Sequence, residues 1–168
     1  MDEAFIKKVQ PNSPEAEQSV IGAMIMDRDA IADVIDIVNA DDFYQKQNGI
    51  LFEAMTELYR EGKPVDLVTL QNKLKKKDVP ESMKSLEVVP TSANAKQYAT
   101  IVREKATLRK LIKVTEDITT ECYLGKDDVT EILDHTEKNV FGLLQQASGR
   151  EEFVPIDKVV LNTLDAIE

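Results

Sequence analysis

Paired acids, one histidine, one thiol and a run of lysines are the side chains here with chemistry to offer. Asp41-Asp42, Asp127-Asp128 and Glu151-Glu152 set two carboxylates side by side. General acid–base work needs carboxylates that converge on one bond in environments that separate their pKa values. These pairs stand instead at helix starts or in a linker, where acids cap free N–H groups and are favoured by the helix dipole. His135 and Cys122 are single in the chain. A lone Cys forms no intramolecular disulfide and cannot build a zinc site. With no acid cluster placed to assist it, His135 is expected to be a solvated or interface side chain, and Cys122 a small hydrophobe packed in a hairpin. Lys73, Lys75, Lys76 and Lys77 form the one basic cluster, at the end of a helix, where the dipole favours cations. A nucleic-acid patch would need more charge of the same sign and interleaved aromatics. No nucleophile, base and orienting group can be assembled. The residues therefore predict no catalytic, cofactor or metal site, and attention moves to the elements that could carry an interaction.

The 168 residues are 42% hydrophobic, 31% charged and only 5% aromatic, without Trp, which suits an aliphatic, all-α core. A net charge of −10 is the wrong sign for gripping DNA or an anionic membrane. The start, MDEAFIKKVQ, lacks the apolar run of a signal peptide, and no stretch reaches the length of a membrane span. A cytoplasmic protein is expected.

Residues 1–10 read as a flexible arm and 11–90 as a helical globular subdomain. Asn12-Ser13-Pro14-Glu15 is a helix start. Ala16, Val20, Ala23 and Met24 share one face, with Ile21 and Ile25 beside it. Asp27-Arg28-Asp29 breaks that helix before a short second one through Ile31, Val34, Ile35 and Val38. Ile50, Leu51, Ala54, Met55, Leu58 and Tyr59 mark a third, stopped by Gly62. Asp66 caps a fourth, with Leu67, Leu70 and Leu74 at i, i+3, i+7 spacing. No segment alternates with period 2, so no strand is predicted.

Between Thr91 and Leu124 there is no Gly or Pro. A helix over most of that run is longer than a small domain can cover. It is followed by Gly125-Lys126-Asp127-Asp128 and then by Val129, Ile132, Leu133, Thr136, Val140, Leu143 and Leu144 at helical spacing. Two amphipathic helices joined by a short polar turn make an antiparallel hairpin over 91–147. A lone hairpin buries only one side of each helix, so pairing of hairpins into a four-helix bundle is predicted. Leu108, Leu111, Leu133, Val140 and Leu144 are assigned to the hairpin core or that pairing. Ile112 and Ile118 flank the stripe and are expected to be left exposed as a partner site. Gly142, inside the second helix, either permits close approach of a neighbour or is simply tolerated there. Residues 148–155 read as a linker. Ile156, Val159, Val160 and Leu164 then form the stripe of a last helix, 156–168, which runs to the final residue without a terminator.

In this order the residues resemble the N-terminal domain of bacterial replicative DNA helicases of the DnaB family. The blocks that carry the resemblance are Pro14–Gly22 (PEAEQSVIG), Asp42-Phe43-Tyr44, Pro64–Leu70 (PVDLVTL), and Val89–Asn94 (VPTSAN) followed by Tyr98, Ile101-Val102, Glu104-Lys105-Ala106 and Leu108–Ile112. The family carries a further short helix before the VPT block, where this chain has only DVPESMKSLEVV. The resemblance implies a helical globular subdomain with a hairpin that pairs into dimers, three of which form the collar of a hexamer. Primase, through its C-terminal region, and a helicase loader would dock there, with Ile112 and Ile118 at the contact. It also implies that Ile156, Val159, Val160 and Leu164 open a linker helix that packs on the neighbouring subunit. A RecA-like ATPase domain using ATP and Mg would then belong to the parent, a helicase at the replication fork. No G-x-x-x-x-G-K-[ST] phosphate loop occurs in these residues, so neither ATP hydrolysis nor unwinding is expected of them. The competing reading is a small helical DNA-binding regulator that uses the Asp66–Lys77 helix for recognition; the net charge opposes it.

Overall fold

The computed structural model describes residues 9–86 and 93–148. Among them are six α-helices, two short 3-10 segments and no strand. The expected linker and the helix of Ile156, Val159, Val160 and Leu164 lie outside the described residues, as do Glu151-Glu152 and most of the N-terminal arm. The chain divides into two compact units, Met1–Lys110 and Leu111–Glu168.

In the first unit, α1 spans Pro14–Met26, with Ser13 capping the Ala16 N–H and Pro14 in the first turn. Asp27 ends α1 and starts α2, Arg28–Ile35, its carboxylate accepting from the Asp29 N–H at 2.9 Å. After the 3-10 turn Ala40–Asp42 comes α3, Lys46–Arg60, which packs against α1, α2, both 3-10 segments and α4. Two glycines make this helix possible. Gly62 ends it at φ +69, as a left-handed C′ residue. Gly49 lets it approach the Ala40 carbonyl so closely that a Cβ would meet the oxygen at 2.7 Å.

Helix α4, Leu67–Lys76, begins in a capping box. Asp66 accepts from the Val68 and Thr69 N–H groups, both at 2.9 Å, and Thr69 accepts from the Asp66 N–H. In the interval DVPESMKSLEVV, Pro80–Ser85 forms a 3-10 segment packed on α3 and α4, with Val79, Met83 and Leu86 against the core. Apolar side chains at these positions give even a shortened interval something to bury.

The long helix α5 runs Ala95–Leu124, thirty residues, or about 45 Å. Within the first unit it buries Ala95, Ala99, Val102 and Ala106, at i, i+4, i+7, i+11. Ile101 and Leu108 are exposed, because the close approach selects the small side chains as the packing surface.

In the second unit, α5 continues from Leu111 to Leu124. Gly125 turns the chain at φ +57, and α6 returns over Val129–Ser148. The His135 Nδ1 lies 4.0 Å from the Glu121 carboxylate, across the antiparallel hairpin. Val114, Ile118 and Glu121 are half-buried on one helix, Ile132, Thr136, Val140 and Leu143 on the other. Cys122, expected to pack there, is exposed: Val114, Ile118 and Glu121, at i, i+4, i+7, occupy the packed face and leave it outside.

Candidate functional site

Three arrangements could do work: a clamp on the long helix, a ladder of ion pairs and an uncovered apolar strip. The clamp begins with Glu17, fully buried on α1. Its carboxylate accepts from the Tyr44 N–H at 2.6 Å, the Gln45 N–H at 3.2 Å and the Asn48 amide at 2.9 Å, and so holds the first turn of α3. Asp42 is also buried. It accepts from the Asn39 N–H at 2.9 Å and pairs with the Lys110 ammonium at 3.0 Å. Arg109 donates to two main-chain oxygens, of Pro11 and of Asp42, each at 2.7 Å, and its guanidinium lies 5.4 Å from the centre of the Tyr44 ring. The last two α5 residues of the first unit are thus fastened to a loop and a turn. Asp42, expected to be a solvated cap, caps while buried, because Lys110 and the turn supply its partners.

Two lysines of the cluster, Lys73 and Lys77, belong to the ladder. On α4, Lys73 pairs with Glu57 at 2.9 Å and Glu61 at 2.7 Å, and Lys77 pairs with Glu57 and, at 3.5 Å, with Glu53. Bonds from Lys63 and Lys73 hold the Glu61 carboxyl down at about 2. Partial burial pushes Glu57 up, but its bonds to Lys77 and Lys73 outweigh this and leave it below its ordinary value. Both lysines are raised in turn, Lys73 chiefly by Glu61 and Lys77 by Glu57. With two of its four clustered cations neutralised in this way, α4 is a poor DNA-reading element.

The strip lies on α6. Val129, Leu133, Phe141 and Leu144 follow one another at helical spacing and expose 73%, 63%, 58% and 60% of their surface. Val140 beside them is half-buried. Of the other residues assigned to the hairpin, Leu108 and Leu111 on α5 are exposed as well. Leu108, Leu111, Leu133 and Leu144 therefore do not form a core within this chain. The expected exposure of Ile112 and Ile118 is reversed: both are half-buried, Ile118 on the face of α5 that packs α6. His135 is exposed, off the stripe. No three His, Cys, Asp or Glu among the described residues could hold a metal ion, and no described helix is long and apolar enough to cross a membrane. Sequence reasoning missed Glu17, Arg109 and Lys110 as anchors, although all three lie in blocks that carried the resemblance.

Comparison with known proteins places the chain in a family. The family described as DnaB-like helicase N terminal domain matches residues 9–104. The replicative DNA helicase DnaB of Leifsonia xyli is 32% identical over 96% of this chain, which spans only 37% of that relative's length. The crystal structure of the N-terminal domain of DnaB helicase from Mycobacterium tuberculosis is 34% identical, with 80% of this chain and 99% of that one covered at a TM-score of 0.74. The corresponding domain from Helicobacter pylori, whose structure was described with its interactions with primase, shares the fold at a TM-score of 0.58 and 20% identity, over 73% and 99% of the two chains.

Proposed function

The chain belongs to the DnaB-like helicase N-terminal domain family, and from that premise we propose that it is the oligomerisation and partner-docking domain of a replicative DNA helicase. The observation that carries this reading is the strip of Val129, Leu133, Phe141 and Leu144 on α6. An exposed, largely apolar strip of that kind on a two-helix unit is expected to be covered. Hairpins pairing through it would build the collar of a hexamer; the exposed Leu108 and Leu111 of α5 keep their assignment to the hairpin or its pairing.

Primase is the partner class assigned to the hairpin surface, and a helicase loader the second. Family membership supports both, and the primase interactions described for the Helicobacter pylori domain point the same way. Ile112 and Ile118, both half-buried, keep their assignment to the primase contact. Ile156, Val159, Val160 and Leu164 are assigned to a linker helix against the neighbouring subunit. ATP, Mg and strand separation are assigned to parts of the parent that this chain does not span. Work at a replication fork in the cytoplasm follows from that parent. A DNA-binding regulator built on α4 is disfavoured by the engagement of Lys73 and Lys77 in the ladder.

The test is the mass of the chain by light scattering across a concentration series, beside Leu133→Asp/Leu144→Asp. The proposal expects a dimer or larger species that the double variant converts to monomer while helicity is retained. A wild-type monomer at every concentration would remove it.

A further inference from the structure

Glu137 stands in the middle of the exposed strip. Val129, Leu133, Glu137 and Phe141 succeed one another at four-residue intervals on α6, and Leu144 follows one turn later. Residues so spaced lie on one helix face. The Glu137 side chain is exposed and makes no hydrogen bond or ion pair among the described residues. Its neighbours one turn away on its own helix are Leu133, Asp134, Val140 and Phe141, none of them a cation. Lys138, next in sequence, is likewise exposed and unpaired.

Covering the strip removes water from this carboxylate, and a carboxylate buried without a partner is strongly unfavourable. Whatever covers the strip must therefore present a cation at its centre. We propose that the occupant is a second copy of this chain, apposed about the middle of the strip, with each Glu137 paired to Lys138 of the other copy. A two-fold pairing reciprocates every contact. With the two α6 helices antiparallel, covering a strip that runs from Val129 to Leu144 sets the axis beside Glu137. There the two Glu137 carboxylates approach and repel, unless the adjacent Lys138 side chains reach across. Their long apolar stems let them do so from the rim, as flanking charges do along paired helices. Glu137 and Lys138 then determine specificity: the charges reject offset or foreign apposition that would leave Glu137 unpaired. This inference rests on the reading of the strip as the surface of self-association.

The test is a charge exchange in the whole chain, followed by sedimentation equilibrium. Glu137→Lys and Lys138→Glu alone are each expected to weaken association about tenfold or more. The double exchange is expected to return it to within about threefold of the wild type. Both positions are exposed, and far-UV circular dichroism checks that the helices persist. Single exchanges without effect, or a double exchange no better than the singles, overturn the pairing. Leu133→Asp separates the two ideas. If it dissociates the chain while the exchanges are silent, only the Glu137–Lys138 pairing fails. If it too is silent, the strip is not the surface and the functional reading fails with it. A wild type that stays monomeric overturns both.

Discussion

Arg109 donates to the main-chain oxygen of Asp42 at 2.7 Å, joining the long helix to a 3-10 turn 67 residues earlier. With its second bond, to the Pro11 oxygen, the guanidinium satisfies two carbonyls from one planar group. Arg109→Met should cost roughly 1–3 kcal/mol of unfolding free energy, because both acceptors lose a charged donor. Arg109→Lys should recover only part of it, since an ammonium cannot reproduce the fork. Urea unfolding followed at 222 nm measures both.

Glu17 is the second anchor. Glu17→Ala leaves the Tyr44 and Gln45 N–H groups and the Asn48 amide without their acceptor in a buried place. The expected loss is on the order of 3–5 kcal/mol, larger than that of Arg109→Met. A variant that unfolds within about 1 kcal/mol of the wild type in the same titration would show that the carboxylate does not organise the start of α3.

Much of this was legible in the residues, and the exceptions have physical causes. Helix starts at Ser13 and Asp66 and stops at Gly62 and Gly125 follow from local chemistry, so they could be read directly. The packing face of α5 could not. Ala95, Ala99 and Ala106 carry little hydrophobic signal, while Ile101 and Leu108 carry much, so pattern alone does not single out the alanine face. Arg109, Lys110 and Glu17 act over long separations in sequence, and periodicity contains nothing about such pairs. The sequence left Leu133 and Leu144 to the hairpin core or the pairing surface: a stripe on a helix tells which side is apolar, not whether the one neighbouring helix is wide enough to cover it.

The ladder predicts an acid limb. Glu57 and Glu61 are held below their ordinary value of 4.5. The stability they contribute is therefore full above that value and is lost as pH falls, for Glu61 down to about 2. Seen from the other partner, Lys73 and Lys77 are raised above 10.5. The same interactions persist below that value and fade as pH rises through the raised ones. Lys73→Met/Lys77→Met should flatten the fall of the urea midpoint between pH 4.5 and 2. An acid limb as steep as the wild type's would contradict the assignment.

Gly49 tests the packing of α3 on the turn. Gly49→Ala sets a methyl group 2.7 Å from the Ala40 carbonyl oxygen. Helix propensity favours the substitution by about 1 kcal/mol, but the clash with backbone should outweigh it and leave a net loss of roughly 1–3 kcal/mol. Gly142→Ala is the control: nothing lies within 4 Å of the added carbon, so the propensity gain should appear undiminished. Thermal melts of the two variants should move in opposite directions.

The central claim is that the face of α6 is covered by another chain. Hydroxyl-radical footprinting of Leu133, Phe141 and Leu144 across a dilution series measures that cover at the side chains themselves. The account predicts protection at high concentration that is released on dilution, with Tyr123 and Leu67, exposed elsewhere, reacting equally throughout. Equal reactivity of the three strip residues at every concentration would contradict it.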